Sequence, residues 1–347
     1  MASEWRGRLA MATCVGLAAC SAEPLPAEEA PSPTWTSVYD SDSLGSVPLA
    51  AWEAGDDVFI VGGGLGNGAA SLVLRRHDGA WSRVEADGMD TLWWVFGQAP
   101  SDVWMVGERG RIFRWDGRVL ADHSYATEAT LFGVWAAAEG DAWAVGGSPG
   151  KGTAAPNDVV LHWDGTSWKP ETLPGAARGE ALLKVWGLSK DSVFAVGENG
   201  AVWHRRDGVW FDERAAVAAG ETLTTVTGCS ANEVLVAGGQ TVVSSHDSTW
   251  TPISIPTTAH VVGAACKGLE SDLLLVGTGS LKLFRSGEVW RDETFHEPYG
   301  DFHAAWLAPS GDAWIVGGDY FTPAENGQAR RGAIAHYGSP TRALPPL

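Results

Sequence analysis

An acidic residue recurs at intervals of 39 to 50 residues through most of the chain. The set comprises Asp57, Asp102, Asp141, Asp191, Glu233, Asp272 and Asp312. Seven carboxylates at one repeated position have the chemistry to hold metal ions or to form a catalytic array. A short acidic side chain beside a tight turn also accepts hydrogen bonds from the backbone amides of that turn. We favour this structural interpretation over a metal ring or a catalytic array.

Histidine is the commonest metal ligand and general base, and the chain contains nine. Five of them take similar late places in successive repeats, so a ring of repeats would spread them apart. These five are His77, His162, His204, His246 and His336. His303 stands at the start of a repeat and is a single candidate for binding near the predicted axis. Neither a nucleophile elbow nor an HExxH motif occurs, so we predict no catalytic residue and no metal ligand.

These residues belong to a repeated phrase, seen clearly as LLKVWGLSKDSVFAVGENGAVWHRRDGVW at residues 182–210. A Val-Gly or Ala-Gly step marks each copy, and the steps are 39 to 51 residues apart. The first residues of these steps are Val61, Val106, Val145, Val196, Ala237, Val276 and Val316. This spacing is the period of four-stranded propeller blades.

Each copy contains short apolar runs bounded by Gly or Asp, which are typical of strands. In the fourth copy the predicted strands are 182–187, 192–197, 201–205 and 209–213. The seventh copy stops after its third strand, while residues 35–39, from Trp35 to Tyr39, match a fourth strand. Pairing that segment into the last blade would close the ring and remove its open edges. The sequence therefore predicts an all-β, seven-bladed β-propeller of four-stranded blades over residues 34–338, followed by a tail at 339–347.

The phrase VWG…DVWAVG…WDG…W is similar to propeller repeats in predicted bacterial cell-surface proteins, and more distantly to Asp-box and WD40 repeats. The resemblance covers residues 35–338. In this chain the Asp and Gly of the turn are adjacent, whereas a true Asp-box has one residue between them. The resemblance implies the fold, and it implies no particular function because propellers host many.

The first residues have the features of a secretory signal. Arg6 and Arg8 precede an apolar run at 9–19, which is too short to span a bilayer. The run ends in Leu-Ala-Ala-Cys at 17–20, which resembles the lipobox of bacterial lipoproteins. That resemblance implies removal of residues 1–19, acylation of Cys20 and, because Ser21 follows, anchoring in the outer membrane. An ordinary cleaved signal is the alternative, and residues 20–33 are predicted to be a disordered tether.

Cys229 and Cys266 occupy comparable places in the fifth and sixth copies. Neighbouring first strands of a propeller run side by side near the axis. We therefore predict a disulfide between them, in keeping with an oxidising compartment. Two buried free thiols are the alternative.

Three predicted loops between second and third strands are long, at 62–71, 147–158 and 317–332, and long loops on a rigid scaffold are recognition elements. The remaining loops are tight, and loops without a ligand are the alternative interpretation. The binding candidates on this face are Tyr320, Phe321, Glu108, Glu198 and His303. Acidic residues in the blade-joining loops make calcium binding a further alternative, although calcium-loop motifs are absent. Otherwise no cofactor is expected.

The net charge of −18 disfavours nucleic acid as a partner. We expect a monomeric, non-enzymatic lipoprotein of the cell envelope that contacts the membrane through its lipid anchor only. It would bind a protein or a glycan through the loop-rich propeller face. The alternative is a glycan-active hydrolase or lyase with its site at the axial mouth, and the lack of a catalytic motif favours the first function.

Overall fold

The computed structural model describes residues 32–65, 70–88, 90–175, 178–217, 220–267, 272–320 and 330–338. The predicted signal at 1–19, the acylated Cys20, nearly all of the tether, Phe321 and the tail at 339–347 lie outside the described residues. Those assignments stay predictions.

The described residues form 28 strands in seven antiparallel sheets of four strands each. The first strand along the chain, β1 (Thr34–Ser41), belongs to the last blade. Blade 1 consists of β2 (Val47–Ala54), β3 (Asp57–Gly63), β4 (Leu72–His77) and β5 (Ala80–Arg83). Blade 2 consists of β6 (Leu92–Ala99), β7 (Asp102–Gly107), β8 (Ile112–Trp115) and β9 (Leu120–Asp122). Blade 3 consists of β10 (Thr130–Ala138), β11 (Asp141–Gly147), β12 (Val159–Trp163) and β13 (Trp168–Glu171).

The later blades repeat this order. Blade 4 consists of β14 (Leu182–Ser189), β15 (Ser192–Gly197), β16 (Val202–Arg206) and β17 (Val209–Asp212), followed by the short helix α1 (Arg214–Val217). Blade 5 consists of β18 (Thr225–Ser230), β19 (Glu233–Gly238), β20 (Thr241–His246) and β21 (Thr249–Pro252). Blade 6 consists of β22 (Val261–Cys266), β23 (Asp272–Gly277), β24 (Lys282–Ser286) and β25 (Val289–Asp292). Blade 7 consists of β26 (Phe302–Leu307), β27 (Ala313–Gly318) and β28 (Gly332–Gly338), with β1 as its outer strand. The four strands predicted for the fourth copy differ from β14–β17 by at most two residues at an end.

The N-terminal strand closes the ring, as predicted. β1 pairs antiparallel with β28, and Trp35 stands opposite Tyr337. The Trp35 ring also packs against Phe284 of blade 6, with ring centroids 5.9 Å apart. Arg331 Nη2 donates to Asp40 Oδ2 at 2.7 Å beside this pairing. Closure therefore combines main-chain bonds, aromatic packing and an ion pair.

The Trp-Gly step of the repeat has a packing role between blades. On the first strands of blades 2 and 4, Gly97 and Gly187 each contact a tryptophan ring of the preceding blade. A Cβ added at Gly187 would stand 2.3 Å from the Trp135 ring, and one at Gly97 would stand 2.8 Å from the Trp52 ring. Only hydrogen fits there, because real Cβ contacts do not come so close. These tryptophans therefore pack between blades.

At two of the repeated acids, side chains of the third strands bind the carboxylate in place of the turn amides that we expected. Asp57 Oδ1 accepts a hydrogen bond from Arg75 Nη2 at 2.6 Å, and Asp141 Oδ1 lies 2.6 Å from His162 Nε2. Arg75 and His162 stand on the third strands, within reach across the antiparallel pair. A charged or imidazole donor makes a stronger bond to a carboxylate than an amide does. The expectation is therefore wrong at these positions, although the role remains structural.

The seam between blades 5 and 6 is held differently from its neighbours. The position of the packing tryptophan is occupied by Thr227 in blade 5, and no pair of aromatic rings joins blades 5 and 6 in the described parts of the chain. Cys229 and Cys266 form a disulfide there, with their Cα atoms 4.7 Å apart. The predicted disulfide is confirmed, and it crosslinks a seam at which no described tryptophan packs on a glycine.

Within the described ranges, no helix has the length and apolar character needed to cross a membrane.

Candidate functional site

The first strand of nearly every blade has a bulge where it begins. In six blades the pairing of the first and second strands shifts by one residue at this point. A bulge leaves one residue without a partner and re-aims its side chain. The residues skipped by the shifts are Leu49, Trp93, Phe132, Leu183, Val262 and His303.

Five of these bulge residues line a cavity of about 230 Å³. The described residues that line it are Trp93, Phe132, Leu183, Lys184, Thr224, Val262, His303 and Tyr320. We call this cavity the axial pocket, because its walls come from the first strands of blades 2 to 7. The first strands begin where the second strands end, so the pocket lies on the face that carries the loops between second and third strands. An apolar cavity with a few convergent polar groups is the usual form of a ligand site.

Lys184 is the one lysine in this lining, and only 4% of it is exposed. Its Nζ atom donates to the carbonyl oxygen of Phe132 at 3.3 Å and lies 3.3 Å from the centroid of the Trp94 ring. No ion pair joins Lys184 to a carboxylate among the described residues. Burial therefore lowers the pKa of the Lys184 amine well below its ordinary value.

Two effects compete for the charge of Lys184. A ring face that holds a desolvated cation stabilises it by about 2 kcal/mol, or about 1.5 pKa units. Full burial lowers the pKa of a lysine by up to about 3–5 units. Burial is the larger effect, in agreement with the lowered pKa of Lys184. Burial therefore favours the neutral form of this amine over the charged form.

His303 contributes a neutral ring to the pocket wall. Its Nδ1 atom donates to the carbonyl oxygen of Leu49 at 2.5 Å, across the seam between blades 7 and 1. Burial, together with the nearby Lys184, lowers the pKa of His303 to about 3. The imidazole is therefore uncharged at neutral pH, and Nε2 is left as an acceptor. The predicted position of His303 at the axis agrees with the structure.

Tyr320 was expected as an exposed aromatic contact, and the structure corrects this. The residue is partly buried, its ring packs edge-on to His303 at 5.3 Å, and its hydroxyl donates to the Phe302 carbonyl at 3.4 Å. Burial raises the pKa of the phenol. The chain turns inward after β27 because Gly318 adopts a φ of 128°, which a residue with a Cβ rarely takes. Tyr320 is thus part of the pocket wall, while its neighbour Phe321 falls in a stretch that is not described.

Glu108 and Glu198 do not reach the axial pocket. Each begins a single 3₁₀ turn, Glu108–Gly110 and Glu198–Gly200, between a second and a third strand. Glu108 Oε2 accepts from the Thr91 amide at 3.0 Å, and Glu198 accepts from the amides of Ala181 and Gly150 at 2.8 Å each. These carboxylates fix the start of the first strand beside them. Their predicted role in binding has no further support from these contacts.

Three side chains of blade 4 stand in the order nucleophile, base and orienting carboxylate. Ser192 Oγ lies 2.9 Å from His204 Nε2, and His204 Nδ1 lies 3.0 Å from Glu213 Oε1. Trp250 Nε1 of blade 5 donates to the other oxygen of Glu213 at 3.0 Å. In blade 3 the place of the serine is taken by Asp141, which is no nucleophile. We therefore interpret the set as a hydrogen-bonded link between blades.

The acidic loops hold arginines. Both oxygens of Glu180 accept from Arg214, and Asp90 Oδ2 accepts from Arg111 Nη2 at 2.9 Å. In the described part of the chain, no three His, Cys, Asp or Glu side chains are grouped so that they could hold a metal ion. Calcium binding stays an untested prediction.

Sequence reasoning missed Lys184, although a signal was present. The position of Lys184 in the first strand is occupied by Ala50, Trp94, Gly133, Thr225, Gly263 and Ala304 in the other blades. A single lysine within the apolar run LLKVWG is therefore exceptional among the seven copies. Its burial depends on the bulge at Leu183, which simple alternation along a strand does not reveal.

Comparison with solved structures finds the same ring in other proteins. A catalytically inactive virginiamycin B lyase from Staphylococcus aureus, solved with Quinupristin, has a TM-score of 0.69 at 12% identity, over 88% of this chain and 99% of its own. YCF48 bound to D1 peptide has a TM-score of 0.63 at 13% identity, over 89% and 99%. The WD40 repeats of RRP9 have a TM-score of 0.65 at 9% identity, over 89% and 99%. No protein-family model and no curated protein match the sequence. At these identities the likeness shows the fold, so the chain is a seven-bladed β-propeller with WD40-like neighbours.

Proposed function

We propose that this protein is a non-enzymatic interaction protein of the cell envelope. It binds a protein or glycan partner through the loop-rich face of the propeller, and an apolar group of that partner enters the axial pocket. The observation that carries this proposal is the pocket itself, with aromatic walls at Trp93 and Phe132 on the face that presents the loops. Aromatic anchors in water-excluding pockets supply most of the binding energy in many interfaces.

Two of the compared propellers were solved with a ligand, one with a D1 peptide and one with Quinupristin. These complexes support the idea that a ring of this kind can bind a peptide or a small molecule. The lipobox-like segment and the acidic, proline-rich segment at 20–33 support an anchored, envelope location for this chain. The charge of −18 again disfavours nucleic acid as the partner.

The test is photo-crosslinking on intact cells, with a crosslinker placed in the loop at 147–158 and mass spectrometry of the adducts. We expect one envelope protein or glycan to be enriched. Trp93→Ser should weaken its binding by at least about tenfold, which is typical of a central aromatic anchor. Phe211→Ser is the matched control, because Phe211 is 42% exposed on the outermost strand of blade 4. Equal recovery of the same partner by both variants would contradict the proposal.

An enzyme that acts by elimination is the second candidate. Two ionisable side chains, Lys184 and His303, converge on one pocket at the axis, as such a site would need. The described lining holds no carboxylate, whereas a glycoside hydrolase uses a pair of them. A lyase therefore fits the pocket better than a hydrolase. Unsaturated products released from a panel of uronic-acid polysaccharides, and lost in His303→Ala, would favour this function over the first.

A further inference from the structure

We propose that Lys184 is a nucleophilic amine that captures apolar aldehydes or ketones as a reversible imine within the axial pocket. This proposal goes beyond partner binding, because it assigns a covalent chemistry and a class of small ligand to one side chain. It requires no macromolecular partner.

The placement of Lys184 meets the geometric needs of such a site. The side chain lines a cavity of about 230 Å³, and it is the only primary amine among the described lining residues. Its Nζ atom is held between the Phe132 carbonyl and the Trp94 ring face, each at 3.3 Å. One described hydrogen bond leaves the lone pair of a neutral amine uncommitted. The amine is thus fixed in position, on a side chain that lines a space that a small molecule can fill.

The surroundings also favour the nucleophilic form. An amine attacks a carbonyl only when it is neutral, and desolvation in an apolar pocket is an established way to achieve this near pH 7. The lowered pKa of Lys184 agrees with this requirement. The His303 imidazole in the same lining is uncharged, so it does not stabilise the ammonium form of Lys184.

A second buried lysine shows what a structural lysine looks like in this fold. Lys282 is fully buried, and its Nζ atom donates to the carbonyl oxygens of Pro298 at 2.9 Å and Ser280 at 3.1 Å. Burial lowers the pKa of Lys282 to about 8. Lys282 does not line the axial pocket. The two lysines therefore share burial, and of the two Lys184 is the one that lines the axial pocket.

The reaction balances without any added oxidant or reductant. The nitrogen of Lys184 attacks the carbonyl carbon, and a C–N single bond forms as the C=O bond opens. The two protons of the amine pass to the former carbonyl oxygen, which leaves as water when its C–O bond breaks. The product is a C=N bond between Lys184 and the ligand, and water reverses the reaction. The aromatic and aliphatic lining selects an apolar ligand over a charged one.

The test uses benzaldehyde as the probe, with cyanoborohydride to reduce the imine to a stable amine, on the full folded chain at pH 7. Peptide mass spectrometry then gives the labelling rate at each lysine. An exposed lysine is only about 0.04% neutral at this pH. We expect Lys184 to be labelled at least about tenfold faster than Lys190, whose side chain is 67% exposed.

The pH dependence gives a second readout. Labelling at Lys190 should rise about tenfold per pH unit between pH 7 and 9, because the neutral fraction of a solvent-exposed amine rises by that factor. Labelling at Lys184 should change much less over this range. Glyoxylate, a charged aldehyde, should label Lys184 far more slowly than benzaldehyde does.

Each other outcome contradicts the proposal. Labelling of Lys184 no faster than that of Lys190 would show that the Lys184 amine is charged or inaccessible. Equal rates at Lys184 and Lys282 would show that burial, and not the pocket, decides reactivity. The labelling is measured without a partner, so a failure of partner binding leaves this result unaffected, and the two proposals fail separately.

Discussion

The two ends of the central axis are built from the same first strands, yet they differ in chemistry. At the loop-rich end, bulge residues and Lys184 enclose the apolar axial pocket of about 230 Å³. At the opposite end, the strands of blades 4 to 7 finish around a wider cavity of about 400 Å³, whose lining includes Trp186, Lys267 and the Cys229–Cys266 disulfide. The loop-rich end encloses an apolar pocket, and the opposite end is crosslinked by a disulfide.

The difference follows from what each end does with its inward side chains. At the loop-rich end a bulge re-aims one residue in six of the seven first strands, and five of these residues line the axial pocket. At the opposite end a glycine such as Gly187 receives the Trp135 ring of the preceding blade, so the side chains pack between blades. In a first strand such as β14, the residues that line the axial pocket and the residue that packs against the preceding blade therefore lie at opposite ends. Substitutions at one end should change stability without changing the reactivity of the other.

The largest effect is expected from the crosslinked end. Cys229→Ser with Cys266→Ser removes a disulfide that spans 37 residues, and we expect the free energy of unfolding to fall by about 3–4 kcal/mol, mainly because the unfolded chain gains freedom. Urea unfolding of both proteins measures the change, and wild-type protein with reductant should match the double variant. Benzaldehyde labelling of Lys184 should persist below the unfolding transition. An unchanged urea midpoint would contradict a stabilising role for the crosslink.

The next effect concerns the Trp-on-Gly contacts. Gly187→Ala places a methyl group 2.3 Å from the Trp135 ring, and overpacking of this kind costs about 1–3 kcal/mol. The matched control is Gly220→Ala, because nothing lies within 4 Å of a Cβ built at Gly220. Thermal unfolding should separate the two variants clearly. If Gly187→Ala were as stable as Gly220→Ala, the blades would not depend on this contact.

The repeat and its closure could be predicted because every blade obeys the same local rules. Trp35 to Tyr39 were recognised as the missing strand by their likeness to other fourth strands, and Cys229 and Cys266 by their places in adjacent copies. The partners of the repeated acids could not be predicted, since Arg75 and His162 differ in type from blade to blade. The inward turn at Gly318 that buries Tyr320 depends on one backbone angle, which no alternation pattern encodes.

Lys184→Met should stabilise the protein by about 1–2 kcal/mol at pH 7, because a buried amine without a counter-ion is costly and Met fills similar space. Burial lowers the pKa of Lys184 in the folded state, so the unfolded chain binds more protons between that pKa and about 10.4. Wild-type stability should therefore rise with pH through this window relative to the variant. Urea unfolding at pH 7 and pH 9.5 measures whether the difference shrinks. A constant difference would mean that Lys184 stays charged in the fold.

Lys267→Ala is the smallest change and the sharpest test of the contrast between the two ends. Lys267 is exposed beside the disulfide, and its Nζ atom donates to the Pro309 carbonyl at 2.9 Å. A surface bond of this kind contributes little, so we expect the free energy of unfolding to change by less than about 0.5 kcal/mol. In the wild type, Lys267 should react with benzaldehyde as slowly as Lys190, because both side chains are exposed to water. Equal labelling of Lys267 and Lys184 at pH 7 would contradict this contrast, because both ends of the axis would then hold a reactive amine.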